Sequence, residues 1–471
     1  MLFNSMDFAI FFPIVFALYW LLARSRYHYQ NVLILVASYV FYGWWDWRFL
    51  FLVFISSCLD FIVGRKIAKV KSQKLRKSLL ILSLGVNLGS LGFFKYYDFF
   101  ISSFIESFTL LGMTLDIPNL NVILPVGISF YTFQTLSYTI DIYKKNLEPA
   151  NDFVAFLTFV SFFPQLVAGP IERASNLLPQ FLKQREFSYN QCIDGVKRII
   201  YGFFVKLVVA DNIAVFVNRI FSNVEELTLP NLAIALFFFG IQIYCDFSGY
   251  SHIALGTSKL LGFELMENFR FPYFAKSIGD FWQRWHISLS TWFRDYVYIP
   301  LGGNRSSGYL WSFNIFITFT VSGLWHGANW TFVIWGMLHS LVYFMEVSIH
   351  RIFKPRPSLF NTLLGWFGVN LMVFFAWFFF RIENMGQTLP TFNNALSQPY
   401  SLKATGGNSL DLLISSGFIV FLFLVEFRSF RQDTIIPKFR RFNALFYHLL
   451  LQLVLLFGAF ENQSAFIYFQ F

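Results

Sequence analysis

An all-α, polytopic membrane protein is the fold class the sequence predicts, on three observations. Only 13% of the 471 residues are charged, against about 25% in soluble domains, and 56% are hydrophobic. The mean hydropathy is +0.54. Apolar runs recur along the chain between short basic loops. The 66 Phe, 22 Tyr and 13 Trp suit lipid-facing surfaces and interfacial belts. A net charge of +10 sits mostly in the loops, the pattern of cytoplasmic loops over anionic lipid rather than of a nucleic-acid patch. Cys58, Cys192 and Cys245 are too scattered for a disulfide framework or a metal site, so each reads as a small buried apolar residue. No metal is expected. Neither a linker nor an internal repeat divides the chain, so residues 1–471 are read as one membrane domain.

Residues 1–26 lack a basic leader, and Arg24 and Arg26 follow the apolar run, which predicts a first spanning helix with its N-terminus outside. Residues 31–45 and 48–63 form a helical hairpin turning at Asp46-Trp47-Arg48. The basic loop 65–77 is cytoplasmic by the positive-inside rule. Residues 78–96 return outward, and 97–121 lie at the outer interface. In residues 121–146, Pro125 and Gly127 break the first half, and Ser129, Thr132, Gln134 and Ser137 are either packing contacts or cavity lining. Three prolines within 164–179 forbid one straight helix after the apolar run 153–168. Residues 190–222, interrupted by Lys197, Arg198 and Lys206, read as an in-plane amphipathic helix. A span over 232–247 ends at Asp246, either a helix-terminal group near water or a site residue.

Residues 280–296 show helical periodicity: Trp285, Leu289, Trp292 and Tyr296 on one face, and a polar stripe holding the Asp280–Arg284 pair. His286 lies on neither stripe. After the Gly302-Gly303-Asn304 turn, residues 311–325 enter the membrane. Asn314, Thr318 and Ser322 share a face that leads to His326. Residues 331–349 carry His339 and end in a basic, inside segment. Residues 361–380 and 410–427 span, separated by a polar external loop over 383–408. The basic stretch 426–442 is cytoplasmic, and a last helix over 444–460 leaves the tail 461–471 outside.

A histidine ending an apolar run is either packed core or a reactive group, since polar groups at membrane depth tend to mark function. A neutral imidazole, with an ordinary pKa of about 6.5, can take a proton from a hydroxyl attacking a thioester. The constellation to hand is His326 as base, with Ser322, Asn329 and His286 to orient it. Neither a Gly-X-Ser-X-Gly elbow nor a cysteine nucleophile motif occurs, which disfavours a self-contained serine hydrolase.

Seven motifs run through the chain: FYGWWDWRF (41–49), PVGISFYTFQTLSYTIDIY (125–143), FFPQLVAGPIER (162–173), YCDFSGYSHIALG (244–256), NFRFPY (268–273), DFWQRWHISLSTWFRDYVYIPLGGNR (280–305) and SGLWHGANWTFVIWG (322–336). In these motifs and their order the chain resembles the membrane-bound O-acyltransferase (MBOAT) superfamily, in its alginate O-acetyltransferase-like branch. One departure is His252, where the family pattern has aspartate. The resemblance implies a ring of tilted helices around a thin, funnelled core with a transmembrane tunnel, its core motifs spanning 122–345. It makes His326 and His286 the catalytic candidates. Trp325, Ser322, Asn329, Asp246, Gln134 and Arg284 become supporting or tunnel residues. It further implies cytoplasmic acetyl-CoA as acyl donor, a polysaccharide acceptor, an exported esterase-like partner of the SGNH type, and residence in a bacterial cytoplasmic membrane. AFIYFQF resembles the tyrosine motif of acyl-relay segments, making Tyr468 a relay candidate; a frayed interfacial tail is the alternative. Two other functions stay open: D-alanyl transfer to teichoic acid from a carrier protein, and transport of a polysaccharide or ion.

Overall fold

The computed structural model describes residues 1–167, 169–222, 227–353, 358–398, 409–439, 442–460 and 466–467. Helix makes up 78% of the structure, and no strand occurs among the described residues. Eight helical stretches there are long and apolar enough to cross a membrane. The all-α, multi-pass expectation therefore holds. The chain divides into two compact units, Met1–Val196 with Ala254–Met266, and Lys197–Ile253 with Glu267–Phe471.

In the first unit, helix Met6–Leu21 starts at Ser5, whose hydroxyl accepts from the Phe8 N–H. Ile10, Ile14 and Leu18 are exposed at four-residue steps while Val15 and Tyr19 are buried, so one stripe is available to lipid. Helices Tyr27–Asp46 and Leu50–Lys69 are separated at the expected turn, though they pack on Phe153–Ser161 and Ile128–Tyr143 more than on each other. The Asp46 carboxylate closes that turn by accepting from the Arg48 backbone N–H and guanidinium. Gln73–Leu91 continues through a π-helical turn, Gly92–Tyr96, into Tyr97–Leu110. Residues 97–110 of the segment expected at the outer interface are thus helical, continuing the preceding helix. Helix Ile128–Tyr143 begins where Gly127 takes φ +76°, and a Cβ at Gly127 would stand 2.7 Å from the Leu166 carbonyl oxygen. Backbone hand and space both call for glycine. Beyond it the prolines break the chain into Phe153–Ser161, Phe163–Leu166 and Ala174–Phe181, as their missing N–H groups require.

Tyr189–Phe203, the π-helical turn Phe204–Ala210 and Asp211–Ser222 follow without a break. This stretch qualifies as a span by length and apolarity, unlike the in-plane helix expected. Lys206 lies on no solvated face: it is fully buried, 2.7 Å from Asp211 and 2.6 Å from Asp246. Helix Leu229–Leu260 runs 32 residues. Asp246 is therefore mid-helix and buried rather than terminal. The apolar run continues past it because Lys206 neutralises it there.

The helix expected over 280–296 is two helices, Ile278–Arg284 and Ile287–Phe293, followed by a π-helical turn, Arg294–Tyr298. His286 breaks it with φ +42°. The hydrogen bonds lost at the break are made by the segment before it. The Ile287 N–H donates to the Asn268 carbonyl at 2.9 Å, the Ser288 hydroxyl to the Asn268 side chain at 2.6 Å, and the Arg270 N–H to the Arg284 carbonyl at 3.0 Å. Helices Gly308–His326 and Trp330–Phe353 then pair as a hairpin, followed by Leu359–Arg381, Ser409–Arg431 and Asn443–Phe457. Within the expected loop 383–408, residues Thr388–Ser397 form a helix, with Thr391 and Ala395 buried.

Candidate functional site

His326 is the last residue of its helix, 2% exposed, with Gly327 already extended beyond it. Its ring lies edge-on to Trp325, Trp335 and Phe380, with centroids 5.1, 5.2 and 5.3 Å away. His286 is fully buried at the helix break, 4.7 Å from Phe247, 6.0 Å from Trp325 and 6.1 Å from His326. The structure thus brings together two histidines 40 positions apart, with Trp325 against both. Burial pushes the His286 imidazole down from its ordinary value to about 3, so it is neutral at neutral pH.

A cavity of about 370 Å³ has a wall that includes Trp282, Ser290, Arg294, Thr318, Ser322 and Tyr343, and neither His286 nor His326 lines it. Ser290 comes four residues after His286, and Ser322 four before His326. Each histidine's chain segment therefore lends one hydroxyl to the wall. Two members of the predicted polar track, Thr318 and Ser322, line this cavity. The third, Asn314, donates instead to the Leu301 carbonyl and the Ser306 hydroxyl.

A third histidine was visible in the sequence only as part of its helix. His339 is fully buried, 4.7 Å from Trp335 and 5.1 Å from Trp282, and neither ring nitrogen has a hydrogen-bond partner among the described residues. The signal was there: Trp335 and His339 are four apart and share a helix face.

The other predicted residues sit elsewhere. The Asn329 amide donates to the Glu383 carbonyl, and its oxygen accepts from the Thr331 N–H at the start of helix Trp330–Phe353. Arg284 pairs with Asp280 at 2.6 Å, as the i,i+4 spacing predicts. Gln134 belongs to the first unit, where it donates to the Phe159 carbonyl and accepts from Gln165. At His252, Nδ1 accepts from Arg198, which also pairs with Glu267 at 2.6 Å. Tyr468 lies outside the described residues.

The family model of MBOAT, the membrane-bound O-acyltransferase family, matches residues 47–386. The chain is 39% identical over 388 residues to the "Probable alginate O-acetylase AlgI" of Pseudomonas aeruginosa, covering 82% of this chain and 73% of that one. It is 34% identical over 422 residues to the peptidoglycan O-acetyltransferase of Helicobacter pylori, covering 83% and 78%. With the teichoic acid D-alanyltransferase of Bacillus subtilis it shares 30% identity over 260 residues, 51% of this chain and 64% of that one.

Proposed function

We propose that this chain, which belongs to the membrane-bound O-acyltransferase family and is a multi-pass O-acyltransferase, carries an acetyl group from cytoplasmic acetyl-CoA to an acceptor outside the membrane, for O-acetylation of a cell-surface or secreted polysaccharide. The observation that carries the reading is the meeting of the buried His326 and His286, with Trp325 against both rings, each four residues from a hydroxyl that lines a cavity. At 6.1 Å between centroids the two rings are too far apart to hydrogen-bond each other, and can instead flank one substrate atom. In this reading His326 takes the proton of the attacking hydroxyl, and the freed oxygen adds to the thioester carbonyl. The C–S bond then breaks, and the leaving thiolate recovers the proton as the free thiol. His286, neutral in its buried site, orients the acceptor. The tunnel, the exported SGNH-type partner, the bacterial cytoplasmic membrane and the relay through Tyr468 belong to the same proposal. The basic segments 65–77 and 426–442 favour its orientation, with residues 461–471 outside.

The test is transfer of labelled acetyl from acetyl-CoA by the purified protein in proteoliposomes. His326→Ala should abolish it, and full transfer by that variant overturns the reading. The likeness to a teichoic acid D-alanyltransferase gives the second reading its weight. Discharge of an acyl-carrier protein with none from acetyl-CoA would establish it instead. Solute flux with no thioester cleavage would point to a transporter.

A further inference from the structure

The mechanism above leaves a buried charge cluster unused. Lys206, in the π-helical turn Phe204–Ala210, lies 2.7 Å from Asp211 and 2.6 Å from Asp246, and all three side chains are shut off from solvent. One carboxylate more than the ammonium needs is costly at such depth unless the extra oxygen has a donor. That donor comes from 221 residues away. The Ile467 main-chain N–H donates to Asp246 Oδ2 at 2.7 Å. The same stretch of chain is seated by side chains. Phe466 is fully buried, 4.6 Å from Tyr250 and 5.7 Å from Phe247, and the Phe247 ring lies 4.7 Å from His286. Ile467 is 4% exposed. Upstream, the Ala459 N–H donates to the Leu207 carbonyl and the Asn212 amide to the Phe457 carbonyl, tying the approach to the element that carries Lys206.

We propose that Asp246, held by Lys206 and Asp211, is a docking site for the chain segment at residues 466–467: a buried carboxylate that takes a main-chain N–H and fixes the chain immediately before Tyr468. Asp246 is then a positioning residue and Lys206 its counter-ion. The purpose of the clasp rests on the relay reading of Tyr468; its existence does not. The hydrogen bond to Asp246 uses only the main chain at 467, while the aromatic seat of Phe247 and Tyr250 holds the ring at 466.

The test uses the full chain with Ile467→Cys as reporter and a maleimide as probe. Labelling at position 467 is read by peptide mass spectrometry, separately from Cys58, Cys192 and Cys245. Asp246→Ala and Asp211→Ala each leave Lys206 one carboxylate, but only the first removes the acceptor of the Ile467 N–H. Loss of a hydrogen bond to an ionised group corresponds to roughly ten-fold or more in the opening equilibrium. Asp246→Ala should therefore speed labelling about ten-fold, and Asp211→Ala should change it by less than about three-fold. Equal acceleration by both would mean general loosening and overturn the clasp, as would no acceleration by either. Should Asp246→Ala not fold, Asp246→Leu, which fills the vacated volume and still leaves Lys206 its Asp211 partner, is read against Asp211→Ala in the same way. Faster labelling with undiminished acetyl transfer would sink the relay and leave the clasp standing.

Discussion

The hairpin that carries His326 is packed backbone to backbone, and one methyl group should open it. A Cβ built on Gly336 stands 2.3 Å from the Phe319 carbonyl oxygen, and one on Gly323 stands 2.2 Å from that of Phe332. Ordinary contact begins near 3.4 Å, so Gly336→Ala must part the two helices by about 1.1 Å. Neither obstacle is a side chain that can swing aside. His326 lies three residues beyond Gly323, at the end where the helices meet, and so takes up much of that shift. Misplacing a reacting group by about 1 Å costs on the order of 100-fold in rate. Stability should suffer less: overpacking costs about 1–3 kcal/mol, partly offset by the roughly 1 kcal/mol that alanine gains over glycine in a helix. The assay is acetyl-CoA turnover per folded molecule, with thermal unfolding in detergent beside it. Gly368→Ala is the control, since a Cβ there meets nothing within 4 Å. Parental turnover in Gly336→Ala would refute the argument that this close approach positions His326.

Two further outcomes concern the site itself. His286→Ala should slow turnover less than His326→Ala, because His286 is assigned an orienting role; initial rates of acetyl transfer give the order, and the reverse order would exchange the two roles. Tyr468→Phe should abolish transfer to the outside while leaving detergent stability unchanged, and normal polymer acetylation in that variant would refute the relay.

Much of the fold is legible in the sequence because lipid leaves few alternatives. A long apolar run with few charges must satisfy its backbone internally, and helix does so without partners. The departures arise where non-local contacts supply what the local pattern lacks. Trp285, Leu289, Trp292 and Tyr296 keep helical spacing straight through His286. The break there depends on Asn268 and Arg270, which take over the backbone hydrogen bonds from outside the run. Asp246 looks like the end of a span only while Lys206 is read separately. Two lone opposite charges inside apolar runs were themselves a pairing signal. His326 and His286 were legible as candidates from their motifs, but nothing in a spacing of 40 residues sets them 6.1 Å apart.

Polarity at membrane depth does not by itself separate chemistry from packing; how the group is satisfied does. Asp60, fully buried in the first unit, accepts from Ser83 and Thr139 on one oxygen and from Asn87 on the other, and Asn87 is held in turn by Ser56. Every contact on that carboxylate is a donor from a neighbouring helix, the arrangement of a structural tie. Asp60→Leu would take from the Ser83 hydroxyl its acceptor, while Asn87 and Thr139 keep the Ser83 and Thr135 carbonyls, so detergent stability should fall by about 1–3 kcal/mol. Turnover per folded molecule should stay within about three-fold of the parent, as expected for a group that holds helices together and makes no transition-state contact. A variant that keeps its stability but loses turnover would move Asp60 into the chemistry. His339, walled by Trp282 and Trp335 with no hydrogen-bond partner among the described residues, has none of the compensation that Asp60 enjoys. By the same criterion, His339 is not a structural tie of the kind Asp60 makes.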